Sequence, residues 1–296
     1  MIPLTEIFCH IDDFCNYFDK RLNGYLLPNP NRKRNRPCKL SLSEIMTIVV
    51  MFQLSHYRTF KDFYLNCILI HYRKDFPNYI SYNRFVELIP LTLMPIICML
   101  MTLPGAETGK YFIDSTKIPV CHNLRIHNHK VFKEFAARGK TSTGWFFGFK
   151  MHLVVNNQGE IMSFMLSSGN VDDRKPVEKM VEKLKGWLMG DRGYISKKLE
   201  KQLEQQGLEL ITRAKKNMKK KIIDPAKEYF LDKRGMIETM IDQLKNIFHM
   251  SHTRHRSVIN AQVNIFAALL AYVFKPKKIS VNFHELPAPK LALTSN

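Results

Sequence analysis

Phe147-Gly-Phe-Lys-Met-His-Leu-Val-Val155 is the stretch of sequence from which the class of fold can be worked out. Apolar residues occupy alternate positions along it, and this period of two predicts a β-strand. Asn157-Gln-Gly159 then predicts a turn, and 160–166 a second strand that pairs back on the first. A hairpin therefore forms the centre of the predicted sheet.

The sequence on either side extends this hairpin into an α/β fold. Three more strands are predicted, over 110–118, 187–189 and 208–212. Four helices are predicted, over 173–186, over 196–207, from about Asp232, and over 258–274, the last apolar nearly all round. The order is strand, strand, strand, helix, strand, helix, strand, helix. It predicts a mixed sheet with three strands joined by hairpins, the others by crossovers, and helices on its flanks.

A separate helical region precedes this sheet. Pro104-Gly105 and Gly109 interrupt the pattern between apolar segments, which predicts a boundary near residue 105. Upstream, Ser41 and Glu44 form a capping-box pattern before apolar residues at helical spacing. Two further helices are predicted, from Thr59 and Ser81. The predicted domains are an all-helical domain over 1–105, an α/β domain over 106–275 and a basic tail over 276–296.

The function of the helical region has two interpretations. A basic loop precedes its helices and contains Arg32, Lys33, Arg34, Arg36 and Lys39. Such a loop beside three short helices is compatible with a helix-turn-helix DNA-binding domain. It is equally compatible with a plain helical bundle that has a solvated loop, and the sequence leaves both open.

The chain is strongly basic. Its 296 residues hold 45 Lys and Arg against 26 Asp and Glu, a formal net charge of +19. Residues 110–156 carry +6 and residues 213–256 carry +7, whereas 157–212 is neutral. A surplus of this size favours a polyanionic partner, either nucleic acid or an anionic membrane surface.

The sequence favours nucleic acid over a membrane. The longest apolar run, 91–103, is interrupted by Pro95 and falls short of the roughly 20 residues that cross a bilayer. The N-terminus does not read as a signal peptide. Six cysteines without CxxC pairs are typical of reduced thiols. We therefore expect a cytoplasmic protein with no membrane partner.

Three acidic residues stand where a packed core would not tolerate them without a purpose. Asp114 follows Tyr-Phe-Ile in the first strand, Asp191 follows a later strand in Gly-Asp-Arg-Gly-Tyr194, and Glu238 lies on the helix after the last strand. A carboxylate beside buried apolar residues costs several kcal/mol unless it is paired or bound to a metal. Three carboxylates together would repel one another, and Mg²⁺, which prefers oxygen ligands, would relieve both problems.

At these positions the chain resembles the bacterial insertion-sequence transposases of the DDE type, whose catalytic domain has the RNase H-like fold. The resemblance covers roughly 108–250, where Asp114, Asp191 and Glu238 match the first Asp, second Asp and Glu of the family. Arg234-Gly-Met-Ile-Glu238 with Lys245 is similar to the Tyr-Arg-Glu-Lys signature of that family. Leu231 departs from it, since Tyr would stand there, and the role of that Tyr is either unfilled or taken over by a neighbour such as Tyr229 or Phe230.

The resemblance implies a catalytic triad of Asp114, Asp191 and Glu238 that also binds the metal, Mg²⁺ with Mn²⁺ able to substitute. The implied partners are double-stranded DNA, as element ends and target, and a second copy of the chain during synapsis. A metal held by such a triad can activate water and then a DNA 3′-hydroxyl for in-line displacement. The predicted DNA-binding residues are basic: Arg125, Lys130, Arg138, Lys140, Arg213, Lys215, Lys216, Lys219, Lys220, Lys221, Arg234 and Lys245.

Several alternatives stay open at this point. The chain could be a transposase-derived DNA-binding protein without activity, or an RNase H-like nuclease acting on branched or hybrid nucleic acid. Asp172 and Asp173 are the main rival metal ligands, although a position at a helix N-terminus accounts for Asp173. Trp145 and its neighbour Phe146 could stack on bases, but the alternating pattern favours a core strand first.

Overall fold

The structure is a computed structural model that describes residues 3–22, 38–142, 144–215, 217–218, 222–251 and 255–281. The chain forms two compact units. The first draws on Met1–Leu103 and Gln243–Pro276, and the second on Pro104–Asp242 and Lys277–Asn296. The domain boundaries that the sequence predicts stay predictions about which segments fold independently.

The first unit is helical. Its α-helices are α1 Leu4–Leu22, α2 Leu42–Leu54, α3 Phe60–Asp62, α4 Leu69–His71, α5 Tyr82–Leu88 and α6 Leu93–Thr102, and it also contains α11 Val258–Val273. A π-helical turn, Phe63–Ile68, joins α3 to α4, and a 3-10 turn, Ile89–Thr92, joins α5 to α6. Helix α1 was not predicted from the sequence.

Local capping and burial account for the helices that were predicted. The capping box at α2 forms as expected: Ser41 N donates to Glu44 Oε2 at 2.6 Å, and Glu44 N donates to Ser41 Oγ at 3.1 Å. Helix α11 packs against α2 and α6 and is buried nearly all round, as its composition predicts. Gln53 Nε2 donates to Asn264 Oδ1 across this packing at 3.0 Å.

One helical stretch is relevant to the membrane question. The span Tyr82–Thr102 is long and apolar enough to cross a bilayer by length and composition, and 39% of its most apolar window is buried. The core helix of a soluble protein passes the same test, and Ile96 and Met99 of this span are buried within the helical unit. The span is therefore weak evidence for a membrane segment.

The second unit is built on a six-stranded mixed sheet. Its strands are β1 Lys110–Cys121, β2 Ala137–Thr141, β3 Gly144–Asn156, β4 Ile161–Ser168, β5 Gly186–Met189 and β6 Leu208–Ile211. Its helices are α7 Val177–Met180, α8 Lys197–Gln205 and α9 Pro225–Asp232, and α10 Gly235–Asn246 begins in this unit. Strand β3 pairs antiparallel with β1, β2 and β4, and β5 pairs parallel with β1 and β6. A mixed sheet after an N-terminal helical region confirms the predicted fold class.

Differences from the sequence prediction have local causes. Strand β1 continues to Cys121 because β3 pairs with it throughout. Helix α7 is only four residues long, yet Val177, Val181 and Leu184 are all buried in the core on one face of the sheet. Apolar spacing thus indicates the buried face rather than the length of the helix. The helix predicted from about Asp232 is α10, which begins at Gly235, and α9 before it was not predicted.

Candidate active site

Two of the three predicted carboxylates lie side by side because of the register of β1 and β5. These strands run parallel, with Phe112 opposite Met189. Asp114 lies two residues beyond Phe112 within β1, and Asp191 lies two residues beyond Met189, directly after β5. Neighbouring strands are separated by about 4.8 Å, and residues two apart point to the same face. The two aspartates therefore occupy equivalent positions on adjacent chain segments.

Glu238 approaches this position from α10. It lies in the first turn of that helix, and Arg234 Nη2 donates to its Oε1 at 2.6 Å. The Arg234 side chain is 22% exposed and that of Glu238 is 55% exposed. The pair is the i, i+4 contact that the sequence allows for, but it lines a cleft instead of an open helix face.

The pKa of Asp114 shows that the other two carboxylates act on it. Burial raises the pKa of this side chain to about 6, and a hydrogen bond from Ser115 N at 2.8 Å and the charge of Arg234 oppose the rise. The negative charges of Glu238 and Asp191 raise it further. Glu238 and Asp191 are thus close enough to act on Asp114.

A cleft of about 500 Å³ opens beside these residues. Its lining consists of Gly190, Asp191, Arg192, Arg213, Leu231, Asp232, Arg234, Gly235 and Glu238. The three arginines of this lining face Asp191, Asp232 and Glu238, whereas Asp114 is not part of the lining. Such a lining suits a phosphodiester that is held by cations beside acidic groups. Leu231 lines the cleft, and this lining, within the part of the chain described, includes no tyrosine.

The basic segment 213–256 is only partly described. Arg213 forms an ion pair with Asp232 at the cleft, and Lys215 is exposed. Lys216, Lys219, Lys220 and Lys221 lie outside the described residues. Lys245 lies on α10, seven residues after Glu238, in the part of the helix that belongs to the first unit.

The predicted DNA-binding residues of the basic segment 110–156 lie on the surface of the second unit. Arg125 and Lys130 are exposed on and after a 3-10 turn, Asn123–Asn128, and Arg138 and Lys140 are exposed on β2. From the sequence, the segment from Arg125 to Lys140 is expected to be a basic loop. Residues 137–141 form an edge strand instead, because Ala137 and Gly139 turn inward while the charged residues turn outward.

A polar cluster that the sequence did not predict lies at β3 and accounts for the rival aspartates. Lys150 Nζ, although buried, donates to Asp173 Oδ1 at 2.9 Å, and Asp172 pairs with Arg174 at 2.6 Å. Asp173 therefore pairs with Lys150. It does not lie at the helix N-terminus that the sequence predicts, because α7 begins only at Val177. His152 pairs with Ser167 at 2.8 Å, and burial lowers the pKa of this histidine to about 4. Lys150 and His152 stand at the polar positions of the alternating pattern, so nothing in the sequence marked them as buried.

The donor set near Asp114 fits a divalent cation by its chemistry. Asp114, Asp191 and Glu238 supply carboxylate oxygens, the ligands that Mg²⁺ prefers. Burial and, to a smaller extent, the charges of Glu238 and Asp191 raise the pKa of Asp114, and a bound cation would relieve both effects. Within the described ranges, no three acidic, histidine or cysteine side chains are gathered closely enough to hold a metal ion as they stand. Binding a metal therefore requires side-chain movement, such as release of Glu238 from Arg234.

Comparison with known proteins assigns the family. The family described as Transposase DDE domain matches residues 104–258, just over half of the chain. A cryo-EM structure of the piggyBac transposase synaptic complex with hairpin DNA is similar to this chain with a TM-score of 0.50 and 12% sequence identity, covering 92% of this chain and 74% of that one. At that identity the likeness establishes the fold, which is RNase H-like.

A second structural likeness is weaker, and a comparison with curated sequences found no match. A crystal structure of a pre-cleavage Mos1 transpososome matches with 10% identity over 88% of this chain and 86% of that one, but its TM-score is only 0.21. No curated protein sequence matches the chain significantly. The match over 104–258 includes all three carboxylates and the strands that carry the two aspartates, and the chain therefore belongs to the family of DDE transposase domains.

Proposed function

We propose that the protein is a DNA transposase that binds the terminal inverted repeats of its element, cleaves the DNA at their ends and joins them to target DNA. The observation that carries this proposal is the placement of Asp114 and Asp191 at one level of β1 and β5, with Glu238 acting on the same site. The bacterial insertion-sequence origin and a cytoplasmic, nucleoid-associated location belong to the same proposal.

The chemistry needs a cation that the residues can hold. Asp114, Asp191 and Glu238 would hold Mg²⁺, with Mn²⁺ as a substitute, and the ion would supply Lewis-acid charge to the scissile phosphodiester. DDE transposases generally use a divalent metal. The charge of the ion would then offset the burial and the smaller carboxylate repulsion that raise the pKa of Asp114.

The arginines of the cleft supply binding and orientation. Arg234 now holds Glu238 through one nitrogen, and a phosphate entering the cleft offers the guanidinium a second oxygen-rich partner. Arg192 and Arg213 line the same cleft and would fix the neighbouring phosphates of the strand. Binding of DNA at this site would therefore free Glu238 while it positions the scissile bond. Cleavage at two element ends in one complex implies a homodimer in synapsis.

The decisive experiment replaces each carboxylate separately. Asp114→Asn, Asp191→Asn and Glu238→Gln should each lower Mg²⁺-dependent cleavage of element-end DNA by at least a thousandfold, while DNA binding is retained. Asp242→Asn, one turn further along α10, is the matched control and should cleave normally. Retained cleavage in any of the three variants would remove that residue from the site.

The wild-type protein distinguishes the rival functions. If it binds element ends in the presence of Mg²⁺ or Mn²⁺ and never cleaves them, the inactive DNA-binding relative is the correct description. If it cleaves branched or hybrid nucleic acid in preference to element ends, it is a nuclease. Gel assays on matched substrates separate these outcomes.

A further inference from the structure

Trp145 is exposed although its strand is buried. Its side chain is 51% exposed at the start of β3, whereas Phe146, Phe147 and Phe149 are each less than 10% exposed. The alternation in the sequence predicts a core position, and for Trp145 this is wrong. An exposed tryptophan loses hydrophobic free energy that burial would have supplied, so its position calls for an explanation.

Two cations lie over the indole ring. The Arg138 guanidinium carbon is 5.1 Å from the ring centroid, and the Lys140 Nζ is 5.6 Å from it. Lys140 is the direct pairing partner of Trp145 across β2 and β3, and Arg138 lies two residues away on the same face. Among the residues that the structure describes, no carboxylate lies at salt-bridge distance from either cation. Their positive charges are therefore available to an anionic ligand.

The backbone holds this group in place. The β2–β3 turn enters β3 at Gly144, whose φ of 108° suits glycine alone, and Asn123 Nδ2 donates to the Trp145 carbonyl oxygen at 2.8 Å. On the opposite face of β2, a Cβ on Gly139 would lie 2.0 Å from the Gly169 carbonyl oxygen, so the strand is packed closely from behind. The ring is presented at the start of a strand whose backbone is held by this hydrogen bond and by close packing behind β2.

We propose that Trp145, Arg138 and Lys140 form a stacking platform for an unstacked base of the DNA substrate. The indole ring would stack on the face of the base, and Arg138 and Lys140 would pair with the phosphates on either side of that base. Every base has a π-face, and stacking on aromatic side chains beside basic residues is how proteins hold single-stranded nucleic acid. This inference rests on the proposed function, because the stacked base would belong to the DNA strand that is cleaved beside Asp114.

The sheet sets the distance between the platform and the carboxylates. Asp114 is opposite Leu153 in β3, and Trp145 precedes Leu153 by eight residues in the same strand. At about 3.3 Å per residue the two positions are at most ~26 Å apart. That distance equals roughly eight nucleotides at about 3.4 Å each. The contacted base therefore lies within about eight nucleotides of the scissile phosphate.

Tryptophan fluorescence tests the platform directly, because the chain has only two tryptophans. Trp187→Phe leaves Trp145 as the single reporter. Titration with element-end DNA carrying an unpaired stretch within eight nucleotides of the cleavage site should quench this fluorescence, and a fully paired duplex should quench it less. A polyglutamate peptide is the control anion. Quenching by the peptide equal to that by DNA would overturn the assignment in favour of an acidic protein partner.

Substitutions separate stacking from charge. Trp145→Ala should weaken binding of the unpaired substrate about tenfold to hundredfold, and Trp145→Phe should restore most of the loss. Arg138→Ala and Lys140→Ala should each lower the slope of log affinity against log salt by about 0.7, whereas the tryptophan variants leave it unchanged. Equal affinity of the wild type and Trp145→Ala would overturn the platform.

The failure of this inference is distinguishable from the failure of the proposed function. Cleavage by Trp187→Phe without quenching of Trp145 would overturn the platform and leave the transposase proposal standing. If DNA quenches Trp145 in the Trp187→Phe variant, but neither this variant nor the wild type cleaves element ends, the platform is supported and the transposase proposal is overturned. Asp191→Asn should quench normally and cleave nothing, since it alters only the carboxylate site.

Discussion

Asp114 shows at the scale of one residue how a candidate catalytic group opposes the stability of its own fold. Its carboxyl has a pKa of about 6 in the folded chain against an ordinary value of 3.8. Above pH 6 the ionised carboxylate therefore destabilises the native state, by up to about 3 kcal/mol. This loss fades as the pH falls through 6 and is absent below 3.8, where the folded and unfolded chains are both protonated.

Asp114→Asn should consequently raise the free energy of unfolding at pH 7 by up to about 3 kcal/mol in the absence of metal. The gain should shrink towards zero near pH 4. Thermal or denaturant unfolding across this pH range measures it. Asp191→Asn, at an exposed position, is the control and should stay within about 0.5 kcal/mol of the wild type. A gain that is the same at pH 4 and pH 7 would contradict burial of a charged Asp114.

At the scale of elements, strand β5 decides whether the site is assembled. It is four residues long, lies between β1 and β6, and leads directly to Asp191. It begins at Gly186, whose φ is 112° and where a Cβ would lie 2.3 Å from the Gly109 carbonyl oxygen. Any other residue would have to push the start of β5 away from β1.

Gly186→Ala should therefore destabilise the second unit by roughly 2 kcal/mol or more and lower cleavage beyond what the remaining folded fraction explains. The reason is that a shifted β5 carries Asp191 away from Asp114. Gly193→Ala is the matched control for stability, because a methyl group there would meet nothing within 4 Å and the φ of Gly193 is not positive. Normal stability of Gly186→Ala would show that the contact with Gly109 relaxes freely.

At the scale of the whole molecule, the net charge of +19 predicts salt-dependent binding of the DNA substrate that we propose. The described part of the positive surface includes the cleft arginines and the exposed Arg125, Lys130, Arg138 and Lys140. Each phosphate neutralised on duplex DNA releases counterions, and the affinity then falls with salt in proportion to the number of contacts.

If about six phosphates are contacted, affinity for duplex DNA should fall by roughly 10³ between 50 and 200 mM salt. Fluorescence anisotropy of a labelled duplex measures the slope. The Arg138→Ala, Lys140→Ala double variant should show a shallower slope, and a double variant in the neutral 157–212 stretch, such as Lys197→Ala, Lys198→Ala, should match the wild type. A flat salt response of the wild type would show that DNA is not bound through its phosphates.

The sequence by itself determined the class of fold and five of the six strands in their order along the chain, because alternation along 147–155 and the turn at Asn157-Gln-Gly159 are local signals. It missed β2 and did not predict the order of the strands within the sheet. It also singled out Asp114, Asp191 and Glu238, but of the three only Asp114 lies in the buried setting that the sequence predicts, since Asp191 is exposed and Glu238 is 55% exposed. The tertiary structure alone decided how these groups meet, since the β1–β5 register and the Arg234 pairing depend on how the elements pack together. The exposure of Trp145 was hidden for the same reason: alternation tells which residues share a face, but only the neighbouring strands tell whether that face is covered.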